Sequence, residues 1–138
     1  MNSRLQQRFV RMAVTAIAAT SGWRVLLLLL LAAVSVLALM PHPPVSVDFG
    51  WDKLNHLLAF SALAFAADLG FPAPRTSRLV APLALLAYGG LIELLQLRVP
   101  GRSGEWADLL ADGLGIACGV LIAAAALRAA ATLSARRA

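Results

Sequence analysis

Six of the seven acidic residues in this 138-residue chain, Asp48, Asp52, Glu93, Glu105, Asp108 and Asp112, fall where apolar segments begin or end. A charge at the centre of a membrane helix costs roughly 2.5–3.5 kcal/mol, so carboxylates close to hydrocarbon face a protein interior, a partner charge or water. Gathered with His56, such groups can perform general acid/base chemistry or hold a divalent cation. With Lys53, Arg98 and Arg102 they can bind an anionic group or neutralise one another. The chain has no H-E-x-x-H, nucleophile elbow, phosphate-cradling glycine loop or paired-cysteine motif. Glu93 and His56 are therefore catalytic candidates by chemistry alone. Metal binding would require Asp52, His56, Glu93, Asp108 or Asp112 to converge, which spacing along separate helices does not establish, and no metal site is assigned. No cofactor is identified.

The elements that must position these residues follow from composition. The chain is 60% hydrophobic and only 14% charged, which marks an integral membrane protein rather than a soluble domain. Four apolar stretches, 23–40, 54–71, 79–97 and 106–127, each approach the ~20 residues needed to cross a bilayer. Pro41, Pro43 and Pro44, then Pro72 and Pro74, then Pro100-Gly101 punctuate the connectors. Short connectors predict antiparallel neighbours and a compact all-α bundle of four transmembrane helices. The organisation expected is a basic segment at 1–22, a transmembrane domain at 23–127 and a basic tail at 128–138. Leu5, Phe9, Met12 and Ala16, opposite Arg4, Arg8 and Arg11, allow an N-terminal interfacial helix.

The net charge of +5 does not point to nucleic acid, because the arginines are dispersed among membrane flanks. With both termini inside, nine basic residues (Arg4, Arg8, Arg11, Arg24, Arg75, Arg78, Arg128, Arg136, Arg137) lie on the cytoplasmic side. Only Lys53, Arg98 and Arg102 lie outside. That asymmetry places the termini in the cytoplasm and the acid-rich side outside an inner membrane. Trp23, Trp51 and Trp106 fall at the boundaries as anchors, and Asp68 is paired most simply with Arg75 or Arg78 or with water. Cys118, in an Ala/Gly-rich run, is expected to be a buried thiol.

Helical spacing then orients the polar residues. Asp108, Asp112, Gly115 and Gly119 share one face of the last span; Gly89, Glu93 and Gln96 share one on the third; Asp52, His56 and Ala59 share one on the second, with Asn55 beside them. Small residues mark close helix contacts, so the three stripes are expected to face one another. Gly115-x-x-x-Gly119 allows packing within the bundle or a homo-oligomer. The first helix carries no such stripe and reads as a lipid-facing wall. Asp108 also suits its helix N-terminus, and Glu93 could be a structural partner of Arg98 or Arg102.

Asp52-Lys53-Leu54-Asn55-His56, Tyr88-Gly89-Gly90-Leu91-Ile92-Glu93-Leu94-Leu95-Gln96, and Arg102 ahead of Asp108, Asp112 and Gly115 resemble the signature of the VanZ-like membrane proteins. The similarity runs from about Asp52 to Gly119. It implies a small bacterial multi-span protein, with Asp52, Lys53, His56, Glu93, Gln96, Arg102, Asp108 and Asp112 at the signature positions. The name-giving member is associated with resistance to the glycopeptide teicoplanin. One position departs from the pattern, since Asp112 stands where the family usually has Asn. The expected function is binding of an envelope lipid or lipid-linked precursor headgroup at the extracytoplasmic cluster. Lys53, Arg98 and Arg102 would contact an anionic group, and Asp52, His56, Glu93, Gln96, Asp108 and Asp112 would shape the pocket. A lipid-modifying enzyme, a cation- or proton-coupled carrier and a structural accessory protein are the alternatives.

Overall fold

The computed structural model describes residues 14–17, 19–42, 52–72, 74 and 77–135. Helical residues 14–17 precede four long helices: α1 (Thr20–Leu39), α2 (Asp52–Gly70), α3 (Val80–Gln96) and α4 (Trp106–Ala135). No strand occurs among the described residues, and the chain is all-α. The expected interfacial helix through Leu5, Phe9 and Met12 lies outside the described residues, as do Asp48, Trp51, Pro43, Pro44, Arg75, Arg136 and Arg137.

Local chemistry sets the helix ends. From Val25 onward α1 is Leu, Ala and Val apart from Ser35, and it stops at Met40, whose ψ of 127° is the extended geometry imposed by the following Pro41. Pro82 sits in the first turn of α3, where no intrahelical donor is required of it. α3 closes with tightened bonds from Arg98 N–H to the Leu95 carbonyl and from Val99 N–H to the Gln96 carbonyl. Gly101, at φ +79°, turns the chain in a region that side chains disfavour. Its tight connector brings α4 back against α3. α4 runs eight residues beyond the span expected from the sequence, because Ala- and Leu-rich residues continue its helical preference through Ala135.

α2 lies at the centre. Phe60, Leu63, Ala66 and Ala67 of α2 build the core with Ile92 of α3 and Ile116 of α4. The α2–α4 interface is the most extensive in the molecule. It is close because Gly115 faces the Leu57 carbonyl and Gly119 the Ser61 carbonyl, with no room for a Cβ at either position. The Ser61 hydroxyl donates to the Gly115 carbonyl at 2.9 Å. The small-residue pattern is thus used inside the bundle.

Two expectations need correction. Cys118 is exposed, because the Gly115 and Gly119 face takes the interior and Cys118 lies off it. α1 is also more than a wall. Tyr88 of α3 donates to the Leu31 carbonyl at 3.1 Å, leaving its oxygen to accept from the Ser35 hydroxyl at 2.8 Å. At the other end of α1, Arg24 donates to the Gly70 carbonyl at 2.8 Å and lies over the Phe71 ring.

α1 and α4 are long and apolar enough to cross a membrane. The bundle surface is itself apolar: Leu28, Leu29, Leu83, Leu94, Leu110 and Leu121 are all more than half exposed. Apolar patches of this extent face lipid or a partner rather than water.

Candidate functional site

The start of α2, the end of α3 and the start of α4 meet at one end of the bundle. Asp108 and Asp112 are one turn apart on α4 and almost wholly buried, at 1% and 0% exposure. His56 of α2 meets Asp112 through Nδ1 and Oδ1 at 2.8 Å. An ionised carboxylate only accepts, so Nδ1 carries the proton and Nε2 is directed elsewhere. Glu93 Oε1 lies 3.8 Å from that Nε2. Phe60 stacks beside the imidazole and helps hold its plane. Gly89 makes room for this arrangement: a Cβ there would run into the Asp112 carboxylate.

Glu93 does not pair with either arginine. Its Oε2 accepts the Glu105 backbone N–H at 2.7 Å, which fixes the loop into α4, while Oε1 accepts no hydrogen bond. The connector and Glu93 are close because Gly104 packs against the Glu93 carbonyl. The Glu105 side chain turns outward and accepts from Lys53 at 2.9 Å. That bond to the ammonium, followed by its charge, holds the Glu105 carboxyl below the usual range. Lys53 Nζ also stands 3.5 Å from Asp108 Oδ1, and Arg102 stands 3.8 Å from Asp52.

Gln96 donates to the Ala38 carbonyl at 3.1 Å, so it ties the site's floor to α1. Arg98 is exposed and outside the paired set, because it lies past the helix end on the turn. The structure therefore brings together Asp52, Lys53, His56, Glu93, Arg102, Asp108 and Asp112, places Gln96 beneath them, and leaves Arg98 at the rim. Glu105 is the member whose linking role the sequence did not reveal. The available signal was an acid one helical step ahead of Asp108.

A cavity of about 370 Å³ opens between α1 and α2. Leu30, Val34 and Leu37 of α1 and Leu58 of α2 line its length, and Asp52, Asn55, His56 and Arg102 line its polar end. The site is thus the head of an amphipathic slot. A family model described as VanZ/LLP1 matches residues 8–128. The chain belongs to the VanZ/LLP1 family. The match extends over nearly all of the chain, beyond the signature segments, to include α1 and its side of the slot. No curated protein and no solved structure matches it significantly. Membership in VanZ/LLP1, the two long apolar helices and the leucine-covered surface together mark a membrane protein.

Proposed function

We propose that this VanZ/LLP1 member is a four-span protein of the bacterial inner membrane, with cytoplasmic termini, that binds an envelope lipid or lipid-linked precursor from the extracytoplasmic side. The observation that carries this reading is the slot itself, apolar along α1 and α2 and charged at one end. Pockets that bind amphiphiles combine an apolar wall with a few convergent polar groups. An acyl or prenyl chain fits against Leu30, Val34, Leu37 and Leu58. The anionic headgroup meets Arg102, with Lys53 close by. Any contribution to glycopeptide resistance would follow from sequestering such a precursor, and it rests on the family resemblance alone.

The test is mass spectrometry of lipids co-purifying with wild-type protein and with folded Arg102→Ala and Leu37→Trp variants. Enrichment of one anionic lipid over the host membrane is expected, with loss through the head in the first variant and through the tail in the second. Bulk membrane composition in all three samples would end the lipid reading.

A second reading, a membrane enzyme acting on the same headgroup, is favoured by the Asp112–His56–Glu93 alignment at the head of the slot. An imidazole oriented by a carboxylate through Nδ1 presents Nε2 as an acid or base. His56→Asn would then abolish conversion while lipid remains bound; conversion at the wild-type rate would remove His56 from the chemistry.

A further inference from the structure

One ring nitrogen of His56 and one carboxylate oxygen each from Asp52 and Asp108 lie within 4.8 Å of one another. We propose that these three residues form a divalent transition-metal site at the head of the slot. This goes beyond the lipid reading and does not require it.

Three observations carry the inference. First, Asp112 holds His56 by Nδ1 at 2.8 Å, which leaves Nε2 for another partner. A metal-binding histidine commonly gives its other N–H to a carboxylate, which fixes the tautomer and strengthens the ligand. Second, buried carboxylate oxygens of the cluster lack donors. Asp108 Oδ1 and Glu93 Oε1 accept no hydrogen bond, although Asp108 is 1% exposed and Glu93 7%. Buried carboxylate oxygens normally find partners. Glu93 Oε1 lies 3.8 Å from Nε2. Third, the charges do not balance within the protein. Asp52, Glu93, Glu105, Asp108 and Asp112 converge on two permanent cations, Lys53 and Arg102, in a chain whose net charge is +5. Neither cation approaches Asp108 or Asp52 closer than 3.5 Å.

One imidazole and two carboxylates make a donor set suited to Zn²⁺ or Mn²⁺. Ligand atoms on a tetrahedral zinc are about 3.4 Å apart, given bonds of ~2.1 Å. Closing the 4.8 Å envelope therefore needs a modest side-chain turn. Asp52 is free to make it, because its side chain is 45% exposed at the mouth. His56 and Asp108 are held by packing and stay in place. Water or an anionic ligand in the slot can complete the coordination.

The experiment uses the full-length protein in detergent, stripped with EDTA and titrated calorimetrically with ZnCl₂ and, separately, MnCl₂. Saturable binding of one ion per chain is expected for at least one metal. Asp112→Asn should weaken it about 10–100-fold through the imidazole. Asp52→Asn and Asp108→Asn should weaken it at least as much, and Asp68→Asn, at the opposite end of α2, should leave it unchanged. Asp52→Asn is the decisive variant, because an exposed side chain can be changed without opening the core. Absence of saturable binding by wild-type protein would overturn the proposal. So would wild-type affinity in folded Asp52→Asn protein.

Discussion

At the residue scale, the His56–Asp112 pair sets the character of the site. Both side chains are buried, and each satisfies a polar atom of the other. Removing one partner strands the other, at a cost of about 1–3 kcal/mol for an unsatisfied buried group. Asp112→Ala and His56→Ala are each expected to lower the unfolding temperature, while the double substitution costs less than their sum. A double-mutant cycle by thermal unfolding in detergent measures the coupling; strict additivity would show that the pair does not act as a unit. Asp112→Asn separates packing from charge, since the amide oxygen still accepts the Nδ1 proton.

At the element scale, the contact between α2 and α4 decides whether the polar residues meet. Gly115 and Gly119 let the two backbones touch, and Asp108 and Asp112 are carried into the interior by the same face. Gly113 points elsewhere, with only the Leu86 side chain at 3.9 Å from an added methyl. Gly115→Ala should therefore destabilise by about 1–3 kcal/mol through overpacking. Gly113→Ala should be neutral or stabilise by up to about 1 kcal/mol through helix preference. Unfolding temperatures of the two variants test this, and equal effects would mean that the α2–α4 separation is not fixed by Gly115. The same pair of substitutions separates bundle packing from self-association, because only the latter would change with protein concentration.

At the scale of the whole molecule, the distribution of charge and leucine supports the proposed seating of the bundle in a bilayer. α4, at 30 residues, is about 45 Å long and exceeds the ~30 Å hydrocarbon core. One end must therefore project, and the proposed orientation sends the Ala135 end into the cytoplasm. Trp106, 80% exposed at the other end, would in that orientation anchor in the outer interface. Cys118 offers a direct check. In intact cells it should resist a membrane-impermeant maleimide, since it faces outward from the bundle at mid-span, and react after denaturation. On a Cys118→Ala background, Glu105→Cys should label from outside and Ser134→Cys only after permeabilisation. The reverse labelling pattern would invert the proposed orientation and move the acidic cluster to the cytoplasmic side.

The sequence by itself determined the class of molecule and the helix ends at which its polar residues gather. Apolar run lengths, proline punctuation and the i, i+4 spacing of Asp108 and Asp112 are local properties, and local properties are legible without a fold. Signature segments around His56, Glu93 and Asp112 also carried the family. Pairing was not legible, because it depends on how helices rotate and slide against one another. By sequence Glu93 suits an arginine partner or a functional acid equally; in the fold the close approach of Gly104 hands one carboxylate oxygen to the Glu105 amide and leaves the other 3.8 Å from His56. Arg98 had the right charge, but one further turn of chain carries it out of the cluster. The slot between α1 and α2 has no sequence signature at all. It exists because Gln96 and Tyr88 tether α1 by its backbone carbonyls and Ser35 hydroxyl, and such long-range bonds are decided only when the helices pack.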